Sequence, residues 1–343
     1  MFERKTVFVV GAGASNELGL PMGSALASGI GDRLQPQGTD FGASLGDALL
    51  TYAINLLADN SRGSGERFFK AAQMISRAMP QTLSIDNFLH AHADNPTLIQ
   101  TGKLGIAASI LEAERSSKIY VGRDTDHVSF RAVADTWHRT FFKMLCEGMQ
   151  RSDLEGLFDN VSIITFNYDR CIEHYLVQAL SVYFDLTWQD ARQLANTLTI
   201  IHPYGQVGKL EWQKSSMVSV DFGHAPPPHD LPAIAAQVRT FTERVDDVEI
   251  MERMHSLLDE AQVVVYLGFS YGDMNMELMT TQRSDRPKQV YGTSYGISGP
   301  NGERIRKAIA ASMGENVRPE HVYLVGCKSN ELLYDFWRPI LKG

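Results

Sequence analysis

The stretch Thr6-Val7-Phe8-Val9-Val10 runs without a break into Gly11-Ala12-Gly13-Ala14-Ser15. A short, β-branched, apolar run that stops at glycines reads as a strand buried on both faces. Such strands belong to parallel sheets covered by helices. The pattern returns. Val161–Thr165 runs into Phe166-Asn167-Tyr168-Asp169, Leu198–Ile201 into His202-Pro203-Tyr204-Gly205, and Val263–Leu267 into Gly268-Phe269-Ser270-Tyr271-Gly272-Asp273. Val290–Gly292 and Val322–Val325 are further strand signals. Helical segments alternate with them: Met22–Leu34, a stripe of Ile172, Leu176, Ala179, Leu180 and Tyr183, segments around 233–241 and 246–260, a helix opened by Pro300, and Asn330–Leu341. Strands alternating with helices imply an α/β chain with a Rossmann-like, doubly wound parallel sheet.

Residues 36–157 interrupt the alternation and read as mostly helical. Phe130, Val133, Trp137, Phe141 and Leu145 recur at helical spacing. Ser84-Ile85-Asp86-Asn87 offers a cap before Phe88-Leu89, and breaks near Gly42, Gly63 and Ser84 separate the pieces. A chain of 343 residues exceeds one comfortable hydrophobic core. The expected organisation is a Rossmann-like core, 1–35 and 158–343, carrying a helical insertion, 36–157.

The net charge of -8 argues against broad binding to nucleic acid, which needs a basic footprint. Cys146, Cys171 and Cys327 lie far apart and form no CxxC pair, so neither a zinc ribbon nor a disulfide framework is expected. His90, His92, His224 and His229 read as surface or capping residues, and no metal is expected. The first apolar run is too short for a signal peptide, and no run approaches the ~20 residues of a membrane helix. A cytoplasmic protein is expected.

The ends of the strands carry the chemistry. A strand that ends in Gly-x-Gly and feeds a helix is a phosphate-binding device, because glycine lets the backbone approach and the helix start favours negative charge. The dehydrogenase version needs a third glycine where this chain has Asn16, and an acidic residue on a promptly following strand. The chain enters helical sequence instead, which disfavours a nicotinamide dehydrogenase. Asn167 and Asp169 fall where α/β sheets bind ligands, although Asp169 equally suits a helix cap. Alternation puts His202 and Tyr204 on one face, and His202 suits a general base or a hydrogen-bonded structural role. Gly268-Phe269-Ser270-Tyr271-Gly272 also matches a nucleophile elbow. A serine hydrolase would pair Ser270 with Asp285 or Asp335 and with His321, and the order Ser270, Asp285, His321 fits.

Together the four motifs resemble the sirtuin-like family. Gly11-Ala12-Gly13-Ala14-Ser15 with Gly19-Leu20-Pro21 is similar to its NAD-binding opening, Thr165-Phe166-Asn167-Tyr168-Asp169 to its TxNxD element, His202-Pro203-Tyr204-Gly205 to its His-Gly pair, and Gly268-Phe269-Ser270 to its ribose–phosphate contact. The helical insertion resembles that of the bacterial NAD-degrading branch. The zinc cysteines of protein-deacylating members are missing, and Met22-Gly23-Ser24 stands where Asp-Phe-Arg is usual. The resemblance therefore implies an NAD hydrolase rather than a deacylase, with NAD as substrate, nicotinamide and ADP-ribose as products, and a role in antiviral defence. It implies that Gly11, Ala12, Gly13, Ser15, Tyr204, Gly268 and Ser270 hold NAD, with Thr293 near its second ribose. Asn167 would place ribose or water, and Asp169 the carboxamide or the developing charge. His202, or Tyr204 where the family's histidine normally precedes the glycine, would be the base. A destructive NADase must be restrained, so a homo-oligomer and a separate activating protein are expected. A non-catalytic NAD or ADP-ribose sensor is the alternative.

Overall fold

The strands of the chain are β1 (Thr6–Val10), β2 (Pro36–Gln37), β3 (Ser44–Leu45), β4 (Val161–Thr165), β5 (Thr199–Ile201), β6 (Val263–Leu267), β7 (Gln289–Thr293) and β8 (Val322–Val325). The computed structural model describes residues 1–343 apart from 39–43, 60–64, 123–124, 214–216, 242, 244–247, 282–285, 315 and 343. Gly42, Gly63 and Asp285 lie outside the described residues. Every residue of β1 is buried. Side chains alternate along a strand, so Val7 and Val9 enter one core and Phe8 and Val10 the other. β1 pairs in parallel with β4 and β6, with Val9 in register with Ile164 and Tyr266.

Six strands form one parallel sheet in the order β5-β4-β1-β6-β7-β8, while β2 and β3 pair separately. Counting only the sheet's strands along the chain, the order is 3-2-1-4-5-6. That is the doubly wound, Rossmann-like arrangement, and its direction of travel reverses at β1. The switch point lies beyond the carboxyl ends of β1 and β6.

The helices of 36–157 divide between the two faces of the sheet. Ala48–Asp59, Gly65–Ala78, Ile85–Ala91 and Pro96–Arg115 join Gly23–Arg33 on the side of Val7 and Val9. Trp137–Cys146 packs on the other side, against Ser329–Leu341 and Cys171–Phe184, and sets the Phe141 ring edge-on to Phe8 at 5.0 Å. The apolar spacing from Phe130 onward suggests one helix, but the helix begins at Trp137. Residues before it form turns, such as Ala132 N–H to Ser129 O at 2.9 Å. A distant side chain marks the start: Glu17 accepts the Trp137 N–H at 2.7 Å and the Asn330 N–H at 2.9 Å. One carboxylate thus satisfies orphan donors at two helix starts, where the dipole also favours negative charge. Ser84 caps its helix as its spacing indicates, accepting the Asn87 N–H at 3.2 Å. Among the described residues no helix is long and apolar enough to cross a membrane.

Helix Pro96–Arg115 is pinned to the sheet by an ion pair with no solvent exposure on either side. Glu114 Oε1 accepts from the Arg170 backbone N–H at 2.9 Å and from Arg170 Nε at 3.0 Å. Arg170 Nη2 donates to Glu114 Oε2, and Nη1 to the Val220 carbonyl. The Gly223 N–H reaches Glu114 Oε2 at 3.3 Å. Glu114→Ala strands a buried guanidinium, so it should cost about 3–5 kcal/mol. Urea unfolding would read this as a lower midpoint at unchanged slope, and a shift worth under ~1 kcal/mol would deny the pair its structural role.

Candidate functional site

β1 and β6 end side by side, so the turns after them meet at the carboxyl edge of the sheet. They meet backbone to backbone. Gly11 N–H donates to Leu267 O at 2.9 Å and Gly13 N–H to Gly268 O at 3.0 Å. A Cβ on Gly11 would stand 2.6 Å from Gly268 O, and one on Gly13 2.9 Å from Gly268 Cα. One on Gly268 would run into the Ala14 nitrogen, and Gly268 has a φ of 56° besides. These glycines are required by the crossing itself. The Gly11, Gly13 and Ala14 amides, which a phosphate-binding turn would offer to its ligand, donate to protein carbonyls instead. Ala12 remains exposed at the rim of this turn.

Beside the crossing, Asn167 and Asp169 follow β4 and are both buried. Asn167 Nδ2 donates to Gly11 O at 3.1 Å and to Ser15 Oγ at 2.8 Å. Both amide hydrogens are thereby used, and Oδ1 is the atom Asn167 can offer a ligand. Ser15 also lies close enough to Asp169 to favour its charged form. Asp169 Oδ1 accepts the Cys171 N–H at 3.1 Å, so it does help start helix Cys171–Phe184. Burial pushes the Asp169 carboxyl up, and Cys171 and Ser15 offset this in part. A buried carboxylate of that kind is a stronger base than one in water.

His202 and Tyr204 part company. β5 ends at Ile201, and Gly205 N–H to His202 O at 3.0 Å closes a turn. Pro203 has no N–H to extend a ladder, so strand alternation stops there and does not place the two side chains together. His202 turns to helix Cys171–Phe184, with Nε2 3.0 Å from Glu173 Oε1 and Nδ1 3.2 Å from Asn167 O. Tyr204 enters the core beside Phe166, ring to ring at 5.8 Å, and donates its hydroxyl to Asn275 Oδ1 at 2.6 Å. Phe166 also meets Phe269 edge-on at 5.0 Å, across the end of β1.

Ser270 is exposed at the rim. The strained residue of its loop is Tyr271, with a φ of 55°, an unusual state for a bulky side chain. Tyr271 is held by its hydroxyl to Thr293 O at 2.9 Å, while Thr293 Oγ1 accepts the Gly268 N–H at 2.8 Å. A nucleophile elbow places the strain on the serine itself. The proposed histidine partner is also misplaced. His321 immediately precedes β8, at the amino edge, whereas Ser270 lies beyond the carboxyl end of β6. The parallel register separates those edges by roughly 13 Å of strand. Ser270 and His321 therefore cannot form a catalytic pair.

The structure thus brings together Gly11, Gly13, Ser15, Asn167, Asp169, Gly268 and Thr293, with His202 behind Asn167 and with Ala12 and Ser270 at the rim. Sequence reasoning missed Glu173, which stands four residues after Asp169 and so one helical turn on. It also missed Tyr168, which donates to Asp86 and draws helix Ile85–Ala91 to the site. Two grooves open elsewhere. One of about 520 Å³ follows the outer edge of β8, and one of about 310 Å³ lies at the amino ends of β1, β4 and β5. No candidate residue lines either.

No family model and no curated protein matches the chain. Among solved structures it is similar to a Sir2 homologue in an ADP-ribose complex, at 13% identity and a TM-score of 0.41, with 98% of this chain and 92% of that chain covered. It is likewise similar to a Sir2 homologue–NAD complex, at 15% identity and a TM-score of 0.40, covering 98% and 90%.

Gly268→Ala should unfold the site, and Gly296→Ala is its control. Both glycines have positive φ, but a Cβ at Gly296 meets nothing within 4 Å. Gly296→Ala should cost about 1–2 kcal/mol from backbone conformation alone. Gly268→Ala should cost at least ~3 kcal/mol, because main chain must also move. Equal losses in thermal unfolding would show that the crossing is not tight.

Proposed function

We propose that the protein is an NAD hydrolase, cleaving NAD to nicotinamide and ADP-ribose. The observation that carries this reading is the buried pair Asn167 and Asp169, with Asn167 bonded to Ser15 and to Gly11 beside the Gly11–Gly268 crossing at the switch point of the sheet. Dinucleotides bind α/β sheets at that point, and the residues are those through which the chain resembles sirtuin-like enzymes. Asn167 Oδ1 would hold a ribose hydroxyl or the attacking water. Asp169 would stabilise the positive charge that grows on the ribose as nicotinamide leaves. Fixed dipoles and charges of this kind, rather than a strong nucleophile, supply most of the rate. Ala12 and Ser270 at the rim are the groups open to the diphosphate or a ribose hydroxyl, and Thr293 holds the Gly268 loop for them. No metal enters the reaction.

His202 is a poor base in this arrangement, since both ring nitrogens already have protein partners. Asp169 is the group left to take the water's proton. The same engagement of His202, with Tyr204 turned into the core, favours one second reading, a non-catalytic NAD or ADP-ribose sensor. On the primary reading the protein works in the cytoplasm as a homo-oligomer restrained until a separate partner protein activates it, in antiviral defence. That setting comes with the NAD-degrading branch that its motifs resemble.

Even without its activating partner, purified protein should convert NAD to nicotinamide and ADP-ribose at a basal rate, resolved by chromatography. Asn167→Ala should lower turnover by about 10²-fold or more, with the circular dichroism of the fold retained. Unchanged turnover would remove Asn167 from the site, and tight NAD binding without turnover would support the sensor.

The pH dependence follows from Asp169. Its carboxylate is the working form, and burial raises its pKa. Activity should therefore fall as pH drops through a value above the ~4 of an ordinary aspartate. Asp169→Asn should lower turnover by at least about 10²-fold and remove that acid limb from the residual activity, without destabilising the fold. An acid limb that persists in any residual activity would assign it to another group.

A further inference from the structure

His202 and Glu173 form a buried pair that the proposed reaction does not use directly. Their side chains are 6% and 5% exposed. His202 Nδ1 lies 3.2 Å from the Asn167 carbonyl oxygen and Nε2 lies 3.0 Å from Glu173 Oε1. A carbonyl oxygen accepts hydrogen bonds and cannot donate them, and an ionised carboxylate likewise only accepts. Two acceptors, one at each ring nitrogen, require two N–H donors. The ring satisfies both as an imidazolium.

The surroundings agree with an ionised Glu173. Burial alone would raise its carboxyl, but the His202 charge, the hydrogen bond to it, and Lys209 bring it below the usual carboxylate range. Lys209 is itself partly buried and donates to Gln206 Oε1 at 3.0 Å. Glu173 Oε2 is buried without a hydrogen-bond partner. Its charge is balanced chiefly by His202, with its own backbone N–H and Lys209 adding to it.

We infer that Glu173 is a positioning residue. It keeps His202 doubly protonated, and the Nδ1–H then clamps the Asn167 carbonyl, so that the Asn167 side chain stays between Gly11 and Ser15. This inference rests on the reading that Asn167 meets the substrate. The clamp itself is a statement about protonation and can be tested without turnover. It gives His202 a task that a neutral imidazole performs badly. With Nε2–H directed to Glu173, a neutral ring would turn a lone pair at Nδ1 toward the lone pairs of the Asn167 carbonyl.

The test is ring-nitrogen NMR of the full chain labelled with ¹⁵N-histidine, at a pH about 1.5 units above the ~6.5 of free imidazole. One of the ten histidines should keep both ring nitrogens protonated there, and its contacts to Asn167 should identify it as His202. A neutral His202 in the unsubstituted protein overturns the clamp, and this arm needs no variant to fold. In Glu173→Gln, which keeps an acceptor but loses the charge, the His202 signals should collapse to a single tautomer. Where NAD turnover is present, kcat should fall about 10–100-fold, as on loss of a supporting partner, with KM changed by less than about threefold. Glu173→Asp should restore part of both. A doubly protonated His202 that survives Glu173→Gln overturns the inference. Absence of NAD turnover in every form would sink the proposed function, while the nitrogen signals would still decide the clamp.

Discussion

The segment that carries Asn167 and Asp169 is held in place by the next residue, Arg170, and its buried pairing with Glu114. Removing two charges from water costs several kcal/mol for each ion, and their attraction repays this only with excellent geometry and full hydrogen bonding. Those conditions are met here. Glu114 accepts from the Arg170 side chain, the Arg170 main chain and the Gly223 main chain, while Arg170 also reaches the Val220 carbonyl. An apolar pair of equal volume could contribute as much stability. It could not hold three main-chain segments in a set direction, because dispersion and hydrophobic contact are non-directional. The pair therefore sets where the end of β4 points, where helix Pro96–Arg115 ends, and how the 220–223 loop passes between them.

A second constraint acts on the same few residues from the opposite side. The Gly11–Gly13 turn and the Gly268 turn touch through their backbones, so neither can shift without the other. Asn167 bridges onto this unit through Gly11 O and Ser15 Oγ. The buried ion pair and the crossing together leave Asn167 little freedom. A site that acts by preorganised electrostatics depends on such supports, since a displacement near 1 Å can cost about 10²-fold in rate. The glycines have two properties in a Gly-x-Gly turn: they admit a ligand, and they admit another backbone. In this protein the second is visible in the hydrogen bonds of Gly11 and Gly13.

The sheet was legible in the sequence because it rests on contiguous signals. Val263–Leu267 and Val161–Thr165 are apolar runs that no other element explains, and the structure gives the same strands. The four motifs could be placed at strand ends for the same reason. What escaped depends on contacts between residues far apart. Glu17 starts the helices at Trp137 and Ser329, 120 and 313 residues from the N–H groups it accepts, so the pattern beginning at Phe130 looked like one continuous helix. Glu114 and Arg170 are 56 residues apart and are ordinary charged residues in isolation. The divergence of His202 and Tyr204 had a local cause that could have been read, since Pro203 cannot extend a ladder. The commitment of His202 to Glu173 had a weaker local cue, a carboxylate one turn into the helix that Asp169 begins.

Asp169 and Glu173 show how much environment decides. They are the same kind of group, one helical turn apart, and both are buried. Asp169 is surrounded by neutral donors, Ser15 and Cys171, with the negative Glu114 nearby, so burial prevails and its carboxyl rises. Glu173 has His202 and Lys209, so the cations prevail and its carboxyl falls. Two carboxyls pushed apart in this way cannot share a role, and their separation is a physical basis for telling a proton acceptor from a fixed charge. The lowered group is useless as a base and effective as an anchor for an imidazolium. The raised group is the better proton acceptor of the two. On the proposed function the division gives proton transfer to Asp169 and alignment to Glu173, with Asn167 between them as the residue that both arrangements serve.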